Sequence, residues 1–203
     1  MIRNFIIFSL VLREVGTQRN RNGLTVNNPE HFRNLLKTIA RMQLTPGLQA
    51  RSDASDIVQE ALLQAHRAIE QFRGTTDAEM VAWLKVILAN TLAHFHRDQH
   101  RDKRDVAREQ NIQAAVNSSS MRLERLLQDD IDSPSVQAVN NEQILHVATA
   151  LEELPELKRE AIELHYWHGW TLDRIAEHQN RGRSAVAGDI HRGLKILRGL
   201  LDG

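Results

Sequence analysis

Five basic side chains, Arg181, Arg183, Arg192, Lys195 and Arg198, crowd residues 181–198 against a single acid, Asp189. On a helix and its approach they could neutralise phosphates, and those nearest the helix start could reach base edges in a major groove. The ordinary alternative is a helical hairpin with a basic solvent face. A second set of groups has the spacing of metal ligands: His96 and His100 stand at i, i+4, and His165 and His168 at i, i+3. Neither pair has a convincing third ligand, and ten histidines make chance pairs common. No cysteine occurs in the 203 residues, which excludes disulfides, thiolate metal sites and a cysteine nucleophile. Neither a phosphate-binding glycine loop nor a nucleophile elbow nor a paired-acid motif is present. The chemistry on offer is binding, with no catalytic residues, cofactor or metal.

The bases need a helix-turn-helix to present them. Leu154-Pro155 ends one helix and starts another, because proline is tolerated in a first turn. That helix, to about Trp167, is expected to bury Leu157, Ala161, Ile162, Leu164 and Tyr166 or Trp167. Gly169 permits a turn, Thr171 caps Leu172 to Gln179, and Asn180 and Gly182 accept left-handed backbone. Ser184 is the expected cap of the last helix. Ala176 and Val186, ten apart, fit the small and apolar contacts where the two helices of such a motif meet, with Ile175 and Ile190 beside them.

Upstream, Phe32, Leu35, Leu36, Ile39 and Met42 keep helical spacing. Asp53 is placed to cap a long helix to about Phe72, whose stripe is Ile57, Val58, Ala61, Leu62, Ala65, Ile69 and Phe72. Asp56, Gln59, Glu60 and Leu63 share another face of it. Asp77 is the expected cap of a third helix with Met80, Leu84, Ile87, Leu88, Thr91 and Phe95 inward. Trp83, Val86, Asn90, His94 and Arg97 follow a separate line. The charged tract from Arg97 to Glu109 reads as a solvated face. Ser- and Asp-rich stretches then flank a short amphipathic piece with Met121, Leu123, Leu126 and Leu127, as in a linker carrying a little helix. No segment alternates with period two.

The expected fold is all-α, with two small helical domains joined by a linker and a winged-helix-like helix-turn-helix at the C-terminal end. The divisions fall at 1–28 (an extension), 29–108, 109–141 (the linker) and 142–203. The apolar run from Phe5 to Leu12 is far shorter than the roughly 20 residues a membrane span needs. Arg13 and Glu14 follow it without a small-residue cleavage site, so neither a membrane nor secretion is expected, and the cytoplasm is. Acids and bases balance at 26 each, so the case for nucleic acid has to be made locally.

Taken in order, the segments resemble the extracytoplasmic-function (ECF) group of sigma-70-type factors. Ser55 to Glu60 (SDIVQE) is similar to the family's DxVQE helix. Gln71 to Gly74 (QFRG), with Ala82-Trp83-Leu84 and Ala89-Asn90, is similar to its FRG…WL…N segment. Residues 151–200 resemble its second domain through LEELPELKREAIELHYWHGWTLDRIAE and SAVAGDIHRGLKILR. KRDVARE and AVAG are similar to versions common in planctomycete-type members. The resemblance covers roughly residues 30 to 203; each motif is weak alone and the ordered set is strong.

The resemblance implies a transcription initiation factor that takes core RNA polymerase to promoters and assists melting. The implied partners are the polymerase, through its β′ clamp and β flap, promoter DNA, and an anti-sigma factor as a further candidate. Asp56, Gln59, Glu60 and Leu63 would dock on the clamp. Trp83, Asn90, His94, Arg97, Arg101 and Arg104 would hold the −10 element, with Asn90 near a flipped base. Arg183, Ser184, Gly188, His191, Arg192 and Lys195 would meet the −35 element. Gln179 and Asn180 stand where the family usually has leucine and glycine, and a buried glutamine would need a partner. Ala187, Gly188 and Asp189 stand where many members place arginine, serine and another base, so −35 readout would rest on fewer side chains. Rival readings are a helix-turn-helix regulator that is no polymerase subunit, an adaptor or anti-sigma-like protein, and a metalloprotein.

Overall fold

The computed structural model describes residues 28–44, 53–99, 106–119, 121–123 and 141–199. The extension, Arg101 and Arg104 of the 29–108 segment, and most of the linker lie outside them. Among the described residues the regular structure is helical, and no helix is long and apolar enough to cross a membrane.

Among the described residues four helices build the first domain: α1 (Arg33–Gln43), α2 (Ala54–Ala68), α3 (Asp77–Gln99) and α4 (Val106–Asn117). A 3-10 turn, Pro29–Phe32, leads into α1, with the Asn28 side chain accepting from the Glu30 N–H at 3.0 Å. Phe32, Leu35, Leu36, Ile39 and Met42 are all buried, as their spacing requires. Asp53 caps α2 as expected, accepting from the Ser55 N–H at 2.9 Å. Ile57, Val58, Ala61, Leu62 and Ala65 face Met80, Leu84, Leu88 and Leu92 of α3 in the same core. Fully burying each large side chain contributes about 1.5–3 kcal/mol.

The cap of α3 is Thr76 rather than Asp77. Thr76 Oγ1 accepts from the Glu79 N–H at 3.3 Å, and Glu79 Oε2 accepts from the Thr75 and Thr76 N–H groups at 2.8 and 3.0 Å. This reciprocal capping box needs a Glu three residues after the hydroxyl, which Asp77 lacks. The same backbone bonds hold the Glu79 carboxyl below its usual range. Helix α4 runs across the division drawn at 108 and packs on α3 and α1, burying Val116.

The second domain comprises α5 (Asn141–Glu153), α6 (Glu156–Tyr166), α7 (Leu172–His178) and α8 (Arg183–Gly199). Ile144, Val147, Leu151, Ala161, Ile162, Leu164, Ile175, Val186, Ile190, Leu194 and Leu197 form its interior. Leu157, expected inside, is 48% exposed, in the first turn of α6. At Gly193 a Cβ would stand 2.6 Å from Ile162 Cδ1, so the missing side chain lets α8 close on α6.

Helix α1 belongs to both domains. Its apolar face packs on α2 and α3, while Asn34, Lys37 and Arg41 turn to α5 and α6. Arg41 pairs with Glu152 and bonds Glu163 Oε1 at 2.7 Å, and Lys37 reaches Glu152 at 3.0 Å. Burial pushes the Glu163 carboxyl up despite Arg41 and Arg159. Burial acts on Glu152 too, but its bonds to Arg41 and Lys37 outweigh it and leave that carboxyl low. From the linker side, Leu123 is buried and Arg122 donates to the Trp167 carbonyl oxygen at 2.8 Å.

Candidate nucleic-acid interface

The second domain presents the basic face through a helix-turn-helix. Thr171 caps α7, its hydroxyl accepting from the Arg174 N–H at 3.3 Å. Gly169 (φ 67°) and Asn180 (φ 50°) take the left-handed backbone that reverses the chain before α7 and after it. Ala176 and Val186 are buried where α7 meets α8, flanked by Ile175 and Ile190. The half-buried Gln179 finds partners: its Nε2 donates to the Leu157 carbonyl oxygen and to Glu160 Oε2, both at 2.9 Å. Helix α8 starts two residues earlier than expected, at Arg183, with the Gly182 carbonyl accepting from the Ala185 and Val186 N–H groups. Ser184 therefore lies within the first turn, exposed.

Along α8, Ser184, His191, Arg192 and Lys195 are exposed, and Gly188 is half-buried beneath the Arg192 guanidinium. Arg183 is exposed and pairs with Asp173 of α7 at 3.3 Å. Sequence reasoning counted Arg181 among the phosphate-neutralising bases and gave Asp189 no role. Asp189 is buried and accepts from Arg181 at 2.6 Å and from Arg192 at 2.8 Å. Burial opposes its ionisation, but the two guanidinium bonds prevail and hold its carboxyl below the ordinary value. The available signal was its i, i+3 spacing to Arg192 as the lone acid among five bases.

The first domain carries the second set. Asn90 and His94 are exposed on α3, in line with Val86, which is 47% exposed. Arg97 lies against His94, with Nη2 2.7 Å from Nδ1. Trp83 is half-buried and packs on Phe72, ring centroids 5.2 Å apart, so its ring joins the core edge to the surface line. Phe72 in turn lies over Gly74, where a Cβ would stand 2.4 Å from its ring.

On α2, Asp56 and Glu60 are exposed, while Gln59 and Leu63 are half-buried. Gln59 Oε1 accepts from Arg33 at 3.1 Å, and Glu60 accepts from Gln64 at 3.0 Å. An open groove of about 430 Å³ runs between α2 and α3, lined by Asp56, Ile57, Glu60, Gln64, Thr91, His94 and Phe95. The acidic face of α2 and His94 of the α3 line thus meet across one groove. Among the described residues no cluster could hold a metal ion, and His165 Nδ1 lies 2.9 Å from the Trp170 carbonyl oxygen.

Comparison with known proteins gives two family matches. The profile of Sigma-70 region 2 matches residues 30–102, and that of Sigma-70, region 4 matches residues 145–197. The chain is 28% identical over 150 residues to the ECF RNA polymerase sigma-E factor of Haemophilus influenzae, covering 73% of this chain and 74% of that protein. It is 32% identical over 124 residues to the ECF RNA polymerase sigma-E factor of Escherichia coli K12, 61% of either chain. It is 27% identical over 147 residues to the ECF RNA polymerase sigma factor SigL of Mycobacterium tuberculosis H37Rv, covering 72% of this chain and 73% of that one.

Proposed function

The chain belongs to the ECF group of the sigma-70 family, and from that premise we propose that it docks on core RNA polymerase through α2, reads the −10 element through α3 and reads the −35 element through α8. Catalysis belongs to the polymerase; this chain supplies promoter choice and helps part the strands, work done in the cytoplasm. An anti-sigma factor would act by covering these same faces.

One observation carries the reading. Two exposed faces suited to DNA, the Asn90 line on α3 and the Arg192 face on α8, stand on separate helical domains. Asn90 can both donate to and accept from the edge of a flipped base, with Arg97 about two helical turns further for the phosphate beyond it. Trp83, braced on Phe72, offers a ring edge at the other end of the line. Arg101 and Arg104 would extend the phosphate contacts, and Arg183, Ser184, Gly188, His191 and Lys195 would frame Arg192 in the major groove. Asp56, Gln59, Glu60 and Leu63 supply a mixed acidic and apolar patch for the clamp.

The two elements lie about 25 base pairs apart, roughly 85 Å of B-form DNA. A compact body of this length has a radius of gyration of only about 17 Å. Both elements can be held at once on one duplex only after α1 parts from α5 and α6. With α4 counted in the first domain, the residues between α4 and α5 would give the tether this needs between the two reading units.

The test is reconstituted run-off transcription with core polymerase across a promoter library. Enrichment of two sequence blocks at a fixed spacing, together with co-elution with core enzyme, is the expected result. Tight duplex binding without any association with core enzyme would assign the chain to the helix-turn-helix regulators instead.

A further inference from the structure

The recognition helix lacks bases at 187, 188 and 189, and the geometry shows what stands in their place. Asp189 lies on α8 one turn before Arg192 and faces the approach that carries Arg181. Its two oxygens are divided between them, Oδ2 to Arg181 Nη2 at 2.6 Å and Oδ1 to Arg192 Nη2 at 2.8 Å. The carboxylate side chain is 13% exposed, whereas the Arg192 side chain is 62% exposed and that of Arg181 27%. The acid is therefore turned inward and the two guanidinium groups outward. Gly188 completes the arrangement: a Cβ there would stand 3.0 Å from Arg192 Nη1 and 3.3 Å from Nη2. Helical side chains sweep back towards the N-terminus. With nothing at 188 in its way, the Arg192 guanidinium lies flat along the helix, near the end that enters a groove.

We propose that Asp189 is a positioning residue for promoter recognition: it fixes Arg192 to read a guanine of the −35 element and fixes Arg181, in the turn before α8, as a phosphate contact. This rests on the −35 reading of α8 given above. Arginine has five N–H donors in a rigid fork, and one bond to Asp189 leaves the other edge for the O6 and N7 acceptors of guanine. Holding a long side chain in one rotamer before DNA arrives removes ordering entropy that binding would otherwise cost. A fixed fork also discriminates better than a mobile one, because a wrong base leaves its donors unmet. Arg181 cannot reach a base edge from the turn as easily as a residue on the helix, but it flanks the groove where the backbone passes. Two cations against one carboxylate leave the unit net positive towards phosphate.

The test uses holoenzyme reconstituted from core polymerase and the full chain, with a duplex library randomised over the −35 block. Asp189→Asn is expected to lower the preference for guanine at one −35 position by about tenfold or more, while −10 preference and core binding stay as in the parent. Arg192→Ala should abolish the preference at that same position. Arg181→Ala should weaken all sequences alike and reduce the slope of log affinity against log salt by about one. A thermal melt of each variant separates folding from reading. If Asp189→Asn lowers the melting temperature and leaves the base preference intact, Asp189 is only a structural tie and the proposal is overturned. It is also overturned if Arg192→Ala erases the guanine preference while Asp189→Asn and Asp189→Ala both retain it. A parent holoenzyme that enriches a −10 block and no −35 block would instead remove the −35 reading itself, and the proposal with it.

Discussion

The Arg41 guanidinium of α1 bonds the Glu163 carboxylate of α6 at 2.7 Å, across 122 positions of sequence and from one domain to the other. Glu152 of α5 completes the site, and the Arg41 and Glu163 side chains are 8% and 6% exposed. Removing Arg41 would leave two buried carboxyl groups short of their shared partner.

Arg41→Ala should loosen the two domains. Breaking a buried pair from one side typically costs about 3–5 kcal/mol, because the surviving charges are stranded. Here the chain can escape part of that cost by opening and letting Glu152 and Glu163 rehydrate. The expected result is a larger radius of gyration by small-angle X-ray scattering, with the helical content by circular dichroism kept. An unchanged radius would show that apolar contacts between the domains outweigh the ion pairs.

Glu163→Gln should behave differently. Burial holds the folded carboxyl above its ordinary value, so the contribution of Glu163 is present below that ordinary value and is lost as pH rises through the raised one. Glutamine does not titrate. The variant should therefore gain stability relative to the parent as pH rises through that window, read from urea midpoints. For Glu152, whose folded carboxyl is lowered, the contribution is present above the ordinary value and lost as pH falls. Glu152→Gln should accordingly lose ground relative to the parent at neutral pH and recover it in acid.

Gly193→Val should destabilise the second domain by about 1–3 kcal/mol, the usual cost of overpacking. The added Cβ meets Ile162 Cδ1 at 2.6 Å. Compensation by Ile162→Ala in a double-mutant cycle would locate the clash at that contact.

Asp56→Arg combined with Gln59→Ala should weaken core polymerase binding by at least about tenfold, or about 1.4 kcal/mol. Asp56 is exposed and Gln59 gives up one bond to Arg33, so the urea midpoint should scarcely move. Equal loss of binding and of stability would take these residues out of the docking face.

Asn90→Ala should impair promoter opening, followed by permanganate reactivity of unpaired thymines, more than holoenzyme assembly. Asn90 is exposed on α3, so the fold has little to lose. Restored opening on a template already mismatched over the −10 block would place the defect at the flipped base.

Much of this molecule was legible in the chain because its determinants are local. Heptad-like apolar spacing fixed which faces of α1, α2 and α3 are buried, and the Asp53 and Thr171 side chains cap helices within three residues of themselves. Gly169 and Asn180 turn where the left-handed backbone is cheapest. Local rules also explain the near misses. The choice between Thr76 and Asp77 as a cap turned on Glu79 reaching back, and the start of α8 moved two residues because Gly182 could end the turn first.

The helix-turn-helix was the sequence's own statement: Ala176, Val186, Ile175 and Ile190 could be assigned to its interior from spacing alone, since packing of adjacent helices repeats with their period. Which charges face one another could not be read that way. Arg41 and Glu163, or Arg181, Asp189 and Arg192, look in sequence like any solvated side chains, because a charge carries no mark of its partner. Only the tertiary approach of α1 to α6, and of the turn to α8, decides whether water or a carboxylate meets the guanidinium. That is why the basic face could be located from the sequence, while the way Asp189 orders it emerged only from the fold.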